Sequence, residues 1–263
     1  MHKLLRLLQM EWSASLQYRA DIVLWTISET MTPLIALAIW YAVAKYSDNN
    51  VSQSEILTYY VLVFFTFVIT NVWNGFFFAR EILNGDIVNY LLRPLSVFWH
   101  HFLQNVGEKS IKLIVPIPLF LLFAFFAPHL LSPAIFVPRH LAFFAVSVSL
   151  ALLLHFFIDM SLGALAFWLE DAFELRRYKD LLHDFTSGVM IPFALMPSAL
   201  AAGLSWLPFR YIVAAPVELL MGKRVGSDAW QVLLIQVAWI VAAAILVSIL
   251  WKRGLKRYAV PGR

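Results

Sequence analysis

Six long apolar runs, at residues 22–44, 56–79, 111–127, 141–168, 185–207 and 229–251, constrain this chain more than any other feature. Each is near or above the roughly 20 residues that a helix rising about 1.5 Å per residue needs to cross about 30 Å of hydrocarbon. The composition agrees, with 61% hydrophobic residues and 14% charged, where soluble domains carry about a quarter charged. The predicted class is an all-α membrane protein, one transmembrane domain over residues 1–263. Cysteine is absent, which removes disulfides, thiolate metal sites and a thiol nucleophile and leaves the redox compartment open.

The runs are not alike. The third is short and carries Pro116 and Pro118, which predicts a bend. The fourth is long enough to project beyond the bilayer or kink near Gly163. The fifth carries Pro192 and Pro197, whose freed carbonyls neighbouring helices must cover. Ahead of the first run, residues 1–20 read as a retained amphipathic helix. Leu4, Leu5, Leu8, Trp12 and Leu16 fall on one arc, with Lys3, Arg6, Gln9, Ser13 and Gln17 opposite. Glu11 and Arg19 interrupt any signal-peptide core, so this helix is expected in the membrane interface, the alternative being a frayed tail or the first turns of a span.

Placing both termini in the cytoplasm leaves only Lys45, Arg139, Arg210, Lys223 and Arg224 outside, five of the 20 Lys and Arg residues. That bias sets the orientation. It also accounts for the formal net charge of +4 without a nucleic-acid partner. Between the fifth and sixth runs, residues 208–223 are too short to cross and too apolar for a solvated loop. They are expected to form short re-entrant helices on the outer side, with Pro208 and Pro216 in first turns and Gly222 ending the second. Such pieces are tolerated only when packed on protein.

Residues 80–101 form an amphipathic, charge-bearing insert on the expected cytoplasmic side. Gly85 can end the preceding helix, and Asp86 can cap a new one. Ile87, Tyr90 and Leu91 lie at helical spacing on one apolar face, and Pro94 stops the turn. A short helix with one apolar face and Arg93 at its end has the shape of a knob for a partner's groove, although it could also lie on the chain's own spans. No two glycines have the spacing of a phosphate-binding P-loop, and neither a His-Glu-x-x-His metal pair nor a Gly-x-Ser-x-Gly nucleophile turn is present. If ATP drives this protein, another chain binds it.

These features occur in an order that resembles a known family. Gly85-Asp86-Ile87 is followed by Leu91-Leu92-Arg93-Pro94-Leu95-Ser96. Further on come Ser187-Gly188, Ile191-Pro192 and Pro197, then Leu207-Pro208-Phe209-Arg210-Tyr211 with Pro216 and Gly222, and last Gly254-Leu255-Lys256-Arg257-Tyr258. Together they are similar to the permease subunit of bacterial type-2 ATP-binding-cassette exporters, in a six-span branch, over essentially the whole chain. The resemblance implies an interfacial helix, six spans, a cytoplasmic coupling helix and re-entrant helices before the last span. It assigns the contact with a separate ATPase to Gly85, Asp86, Ile87, Leu91, Leu92, Arg93 and Pro94, with residues 170–180 as a lesser contact. It also implies a second permease, a different homologous subunit or a second copy, in a bacterial inner membrane, with ATP and Mg held by the partner ATPase and no cofactor on this chain.

Within the runs, Glu29, Asn71, Asn74 and Asp159 lie roughly 8–13 Å from the expected cytoplasmic ends at 1.5 Å per residue, and their similar depth predicts one polar layer. Ionisable groups there are costly and should face protein or a water-filled cavity. One reading is an inner vestibule taking a cationic or amphiphilic substrate from the cytoplasmic leaflet; the other is hydrogen-bonded glue between helices. His155 and Asp159, one turn apart, could pair, but a catalytic dyad would need a nucleophile or acceptor site the sequence does not offer. Rings such as Phe64, Phe65 and Phe76 could pack, face lipid or stack on a planar cation. The sequence reading is therefore an exporter's membrane subunit for a hydrophobic or amphiphilic substrate. The alternatives are a lipid-modifying enzyme, a lipid or glycolipid flippase component, and a scaffold without a transport role.

Overall fold

The computed structural model describes residues 2–46, 52–92, 96–114, 116–126 and 130–258, which contain helices and turns and no strand. In chain order the helices are α1 His2–Gln17, α2 Arg19–Tyr46, α3 Gln53–Thr70, α4 Asn74–Asn84, α5 Ile87–Leu91, α6 Val97–Lys112, α7 Pro116–Phe126, α8 Pro138–Ala164, α9 Ala172–Thr186, α10 Ser198–Leu204, α11 Ala214–Leu220 and α12 Ser227–Tyr258. Among the described residues four units are long and apolar enough to cross a membrane: α2, α3 with α4, α8 with its following 3-10 turn, and α12. Two bent pairs, α6 with α7 at 46° and α10 with the 208–220 segment at 83°, raise the number to six if each is one span.

The central helix is α8, which packs against α12, α4, α11, α3 and α9. One apolar core joins α3, α8, α11 and α12. The other joins α4, α8, the 3-10 turn at Leu165–Phe167 and α12 around Phe78, Met160 and Phe167. Helices α4 and α8 approach through two glycines. A Cβ on Gly163 would sit 2.5 Å from the Gly75 carbonyl oxygen, and one on Gly75 would overlap the Asp159 backbone. By contrast α2 is a loose outer helix: 17% of its apolar window is buried, against 61% for α3 with α4.

Several expectations change in detail. The insert expected over 80–101 is shorter than that. Helix α4 runs to Asn84, and α6 begins at Val97 with Ser96 accepting from the Phe98 amide at 3.3 Å, so His100 and His101 lie within α6. The fifth run is not a helix over 185–207. The charged helix α9 ends at Thr186 and an irregular stretch holding Pro192 and Pro197 leads to the seven-residue α10, because prolines remove the amides a continuing helix needs. Helix α1 docks on α6 through Leu7 and Glu11, which are buried, whereas Trp12 is exposed. The expected re-entrant segment is a 3-10 turn at Pro208–Tyr211 followed by α11, with Pro216 in its first turn and Gly222 at φ +70° beyond its end. Residues 211–221 are all buried, as a backbone of this kind requires in lipid.

Candidate functional site

The second crossing is broken at its middle. Asn71 adopts an extended conformation (φ −64°, ψ 133°), and α4 restarts at Asn74 after Trp73. Such a break frees backbone groups that cost several kcal/mol each if left bare in hydrocarbon. Three ionisable side chains from other helices cover them. His155 Nδ1 donates to the Thr70 carbonyl at 2.8 Å, Lys109 Nζ donates to the Asn71 carbonyl, and Asp159 Oδ2 accepts from the Gly75 amide at 2.6 Å. Asn74 donates to the His101 carbonyl at 3.0 Å, tying the restart to α6.

His155 and Asp159, whose spacing would let them pair with each other, both meet Lys179. Its ammonium lies 2.8 Å from Asp159 Oδ1 and 3.3 Å from His155 Nε2. Because Nδ1 donates to Thr70, Nε2 is left to accept, which fixes one imidazole tautomer. One turn along α9, His183 stacks on His155 with centroids 5.0 Å apart. Thus α9 runs antiparallel to α8 in a register of two one-turn steps. Lys179 is missed by the sequence reading because its segment is polar enough to pass for a loop.

The residues of the expected polar layer fall into two linked groups. Asn71, Asn74, His155 and Asp159 gather at the break, but Glu29 belongs to a neighbouring triad. Lys112 Nζ lies 2.9 Å from Glu29 and 2.8 Å from Glu108, whose carboxylate also accepts from Trp73 Nε1. Lys109 and Lys112, one turn apart on α6, link the two groups. The sequence reading counted both lysines on the cytoplasmic side, yet their side chains are buried. The spacing of Glu108 and Lys112 on one helix face was the available signal.

A cavity of about 720 Å³ opens beside this triad between α1, α2, α4 and α6, with Asp21, Trp25, Glu29, Phe77 and Glu108 in its wall. Glu11 lies at its rim 3.5 Å from His100, and burial raises its carboxyl pKa above the usual value of 4.5, against the lowering effect of His101. Among the described residues no group of three His, Asp or Glu side chains is arranged to hold a metal ion.

At the α4–α6 elbow Gly85 has φ +85°, the left-handed conformation that ends α4. Asp86 does not cap: it is already helical and its side chain makes no capping bond. The expected apolar face also divides. Ile87 is buried and Tyr90 turns inward to donate to Glu81 at 2.8 Å, whereas Val88, Leu91 and Leu92 are exposed. Arg93 and Pro94 lie outside the described residues. At the other end of the molecule Arg210 forms a two-bond pair with Glu218 at 2.9 and 3.0 Å and lies over the Phe193 ring, and Arg224 adds a contact to Glu218 at 3.3 Å. This network, like the buried Gln236 bonded to Ser147 and the Tyr211 carbonyl, holds the α11 segment in place.

The chain has no match among curated proteins. A family model described as ABC-2 family transporter protein matches residues 27–262, from within α2 past the end of α12, and the chain therefore belongs to the ABC-2 transporter family.

Proposed function

We propose that this multi-pass ABC-2 permease exports a hydrophobic or amphiphilic substrate by alternating access at an interface with a second permease, powered by a separate ATPase chain. The observation that carries this reading is the family match combined with an elbow that presents exposed Val88, Leu91 and Leu92 on a helix anchored from behind by Ile87 and Tyr90. A rigidly backed apolar knob is what a groove on a moving partner can push. The Lys and Arg bias supports placing that knob, and both termini, on the cytoplasmic side of an inner membrane. ATP and Mg then belong to the partner chain. The lipid-modifying alternative needs a polar cluster open to one leaflet, whereas Asp159, His155 and Lys179 are spent on backbone and on one another.

The test is purification from native membranes in mild detergent, identifying every accompanying chain and measuring nucleotide hydrolysis and transport. Recovery of a P-loop ATPase and a second permease, with hydrolysis only in their presence, is expected. Isolation of this chain alone, under conditions where another exporter of the same membrane stays assembled, would overturn the proposal.

A further inference from the structure

Two cavities flank α2, and their chemistry differs. The first is the cavity of about 720 Å³ beside the Lys112 triad; the second, of about 520 Å³, lies between α2, α3, α6 and α7 and is lined by Thr26, Pro33, Leu37, Phe64 and Phe120 among others. Ile22 and Lys112 form part of both walls, so the cavities meet along the inner edge of α2.

Charge in the first cavity is unbalanced. Lys112 is shared by Glu29 and Glu108, and the carboxylates in the cavity wall, Glu11, Asp21, Glu29 and Glu108, outnumber its cations, Lys112 and Arg176. Arg176 on the far wall shares Asp180, at 3.4 Å, with Lys179, at 3.0 Å. Asp21 forms no ion pair among the described residues, and Trp25, Trp73 and Phe77 line the same cavity. Excess carboxylate with aromatic faces in a partly dry site suits an organic cation. The second cavity follows α2 from Ile22 to Leu37, roughly 22 Å at 1.5 Å per residue, longer than half of the ~30 Å hydrocarbon core. Its wall is apolar apart from Lys112 and a few hydroxyls.

We propose that the two cavities form one slot for an amphiphile with a permanent positive charge and a single long alkyl chain. The head sits among Asp21, Glu29, Trp25 and Phe77, and the tail lies along the Ile22–Leu37 side of α2. This rests on the exporter reading and names the substrate class that such a permease would take from the cytoplasmic leaflet.

The experiment titrates the full chain, in nanodiscs of zwitterionic lipid, with dodecyltrimethylammonium, subtracting the heat of empty discs. Dodecyl sulfate carries the same tail with the opposite charge, and tetramethylammonium is the head alone. Saturable binding of dodecyltrimethylammonium is expected, with dodecyl sulfate and tetramethylammonium each at least about tenfold weaker. Asp21→Asn and Trp25→Leu, both at exposed positions that the fold does not depend on, should each weaken the cation about tenfold, and Glu29→Gln should do the same if it folds. Equal binding of dodecyl sulfate, no saturable binding, or unchanged affinity in both Asp21→Asn and Trp25→Leu would overturn the slot. If an ATPase co-purifies and transport occurs while binding fails, the slot alone falls. If binding holds and no ATPase is recovered, the exporter reading alone falls.

Discussion

At the scale of single residues, the Asp159–Lys179 pair matters more than its two charges suggest. Its side chains are 2% and 3% exposed, and Asp159 also holds the Gly75 amide, so one carboxylate ties α9, α8 and α4 together. Removing one member of a buried pair strands the other, at a cost of about 3–5 kcal/mol, whereas replacing both by apolar groups is often tolerated. Lys179→Met should therefore destabilise the permease by that amount in a detergent thermal-unfolding assay, and Lys179→Met combined with Asp159→Leu should recover only part, because the Gly75 amide stays bare. Full recovery in the double variant would show that the Gly75 bond contributes nothing. Asp159 and His155 were legible in the sequence as polar residues in an apolar run. Their partner was not, since nothing local reveals which of several charged residues on a polar helix turns inward.

At the scale of elements, α5 and α1 carry opposite lessons. Helix α5 is five residues long and could not persist alone; it is held by Ile87 and by the Tyr90–Glu81 bond. Leu91→Asp should leave thermal stability within about 0.5 kcal/mol of the parent, as surface changes do, while abolishing ATPase co-purification. Ile87→Asp, placing a charge in the core, should lower stability itself. Equal ATPase recovery from Leu91→Asp and the parent chain would remove α5 from the coupling role. Helix α1 docks through Glu11, whose pKa is raised chiefly by burial. The native state then holds that proton more tightly than the unfolded chain, so docking strengthens as pH falls from neutrality toward 4.5 and weakens as it rises. Limited proteolysis between α1 and α2 should slow on acidification in the parent and show a flatter pH profile in Glu11→Gln.

At the scale of the whole molecule, α2 is the least covered of the four long spans among the described residues. Its exposed Leu24, Ile35 and Ile39 form the face we propose for the second permease. The absence of native cysteine makes the test clean: Ile35→Cys, oxidised in membranes beside single-cysteine copies or a second permease subunit, should give a covalent dimer, and a solely monomeric product at Ile35 and Ile39 alike would move the interface elsewhere. The membrane class and the positions of the apolar runs were determined by the sequence alone, because length and hydropathy are summed locally and hydrocarbon thickness sets one threshold for every run. The short helices before α12 followed from prolines and a glycine acting within one or two turns. Tertiary structure decided the break at Asn71, the inward turn of Lys109, Lys112 and Lys179, the split of the expected polar layer, and the cavities beside α2. Each of these depends on which distant helix supplies a donor or acceptor to a freed backbone group or a buried charge, and that pairing is fixed only when the helices pack.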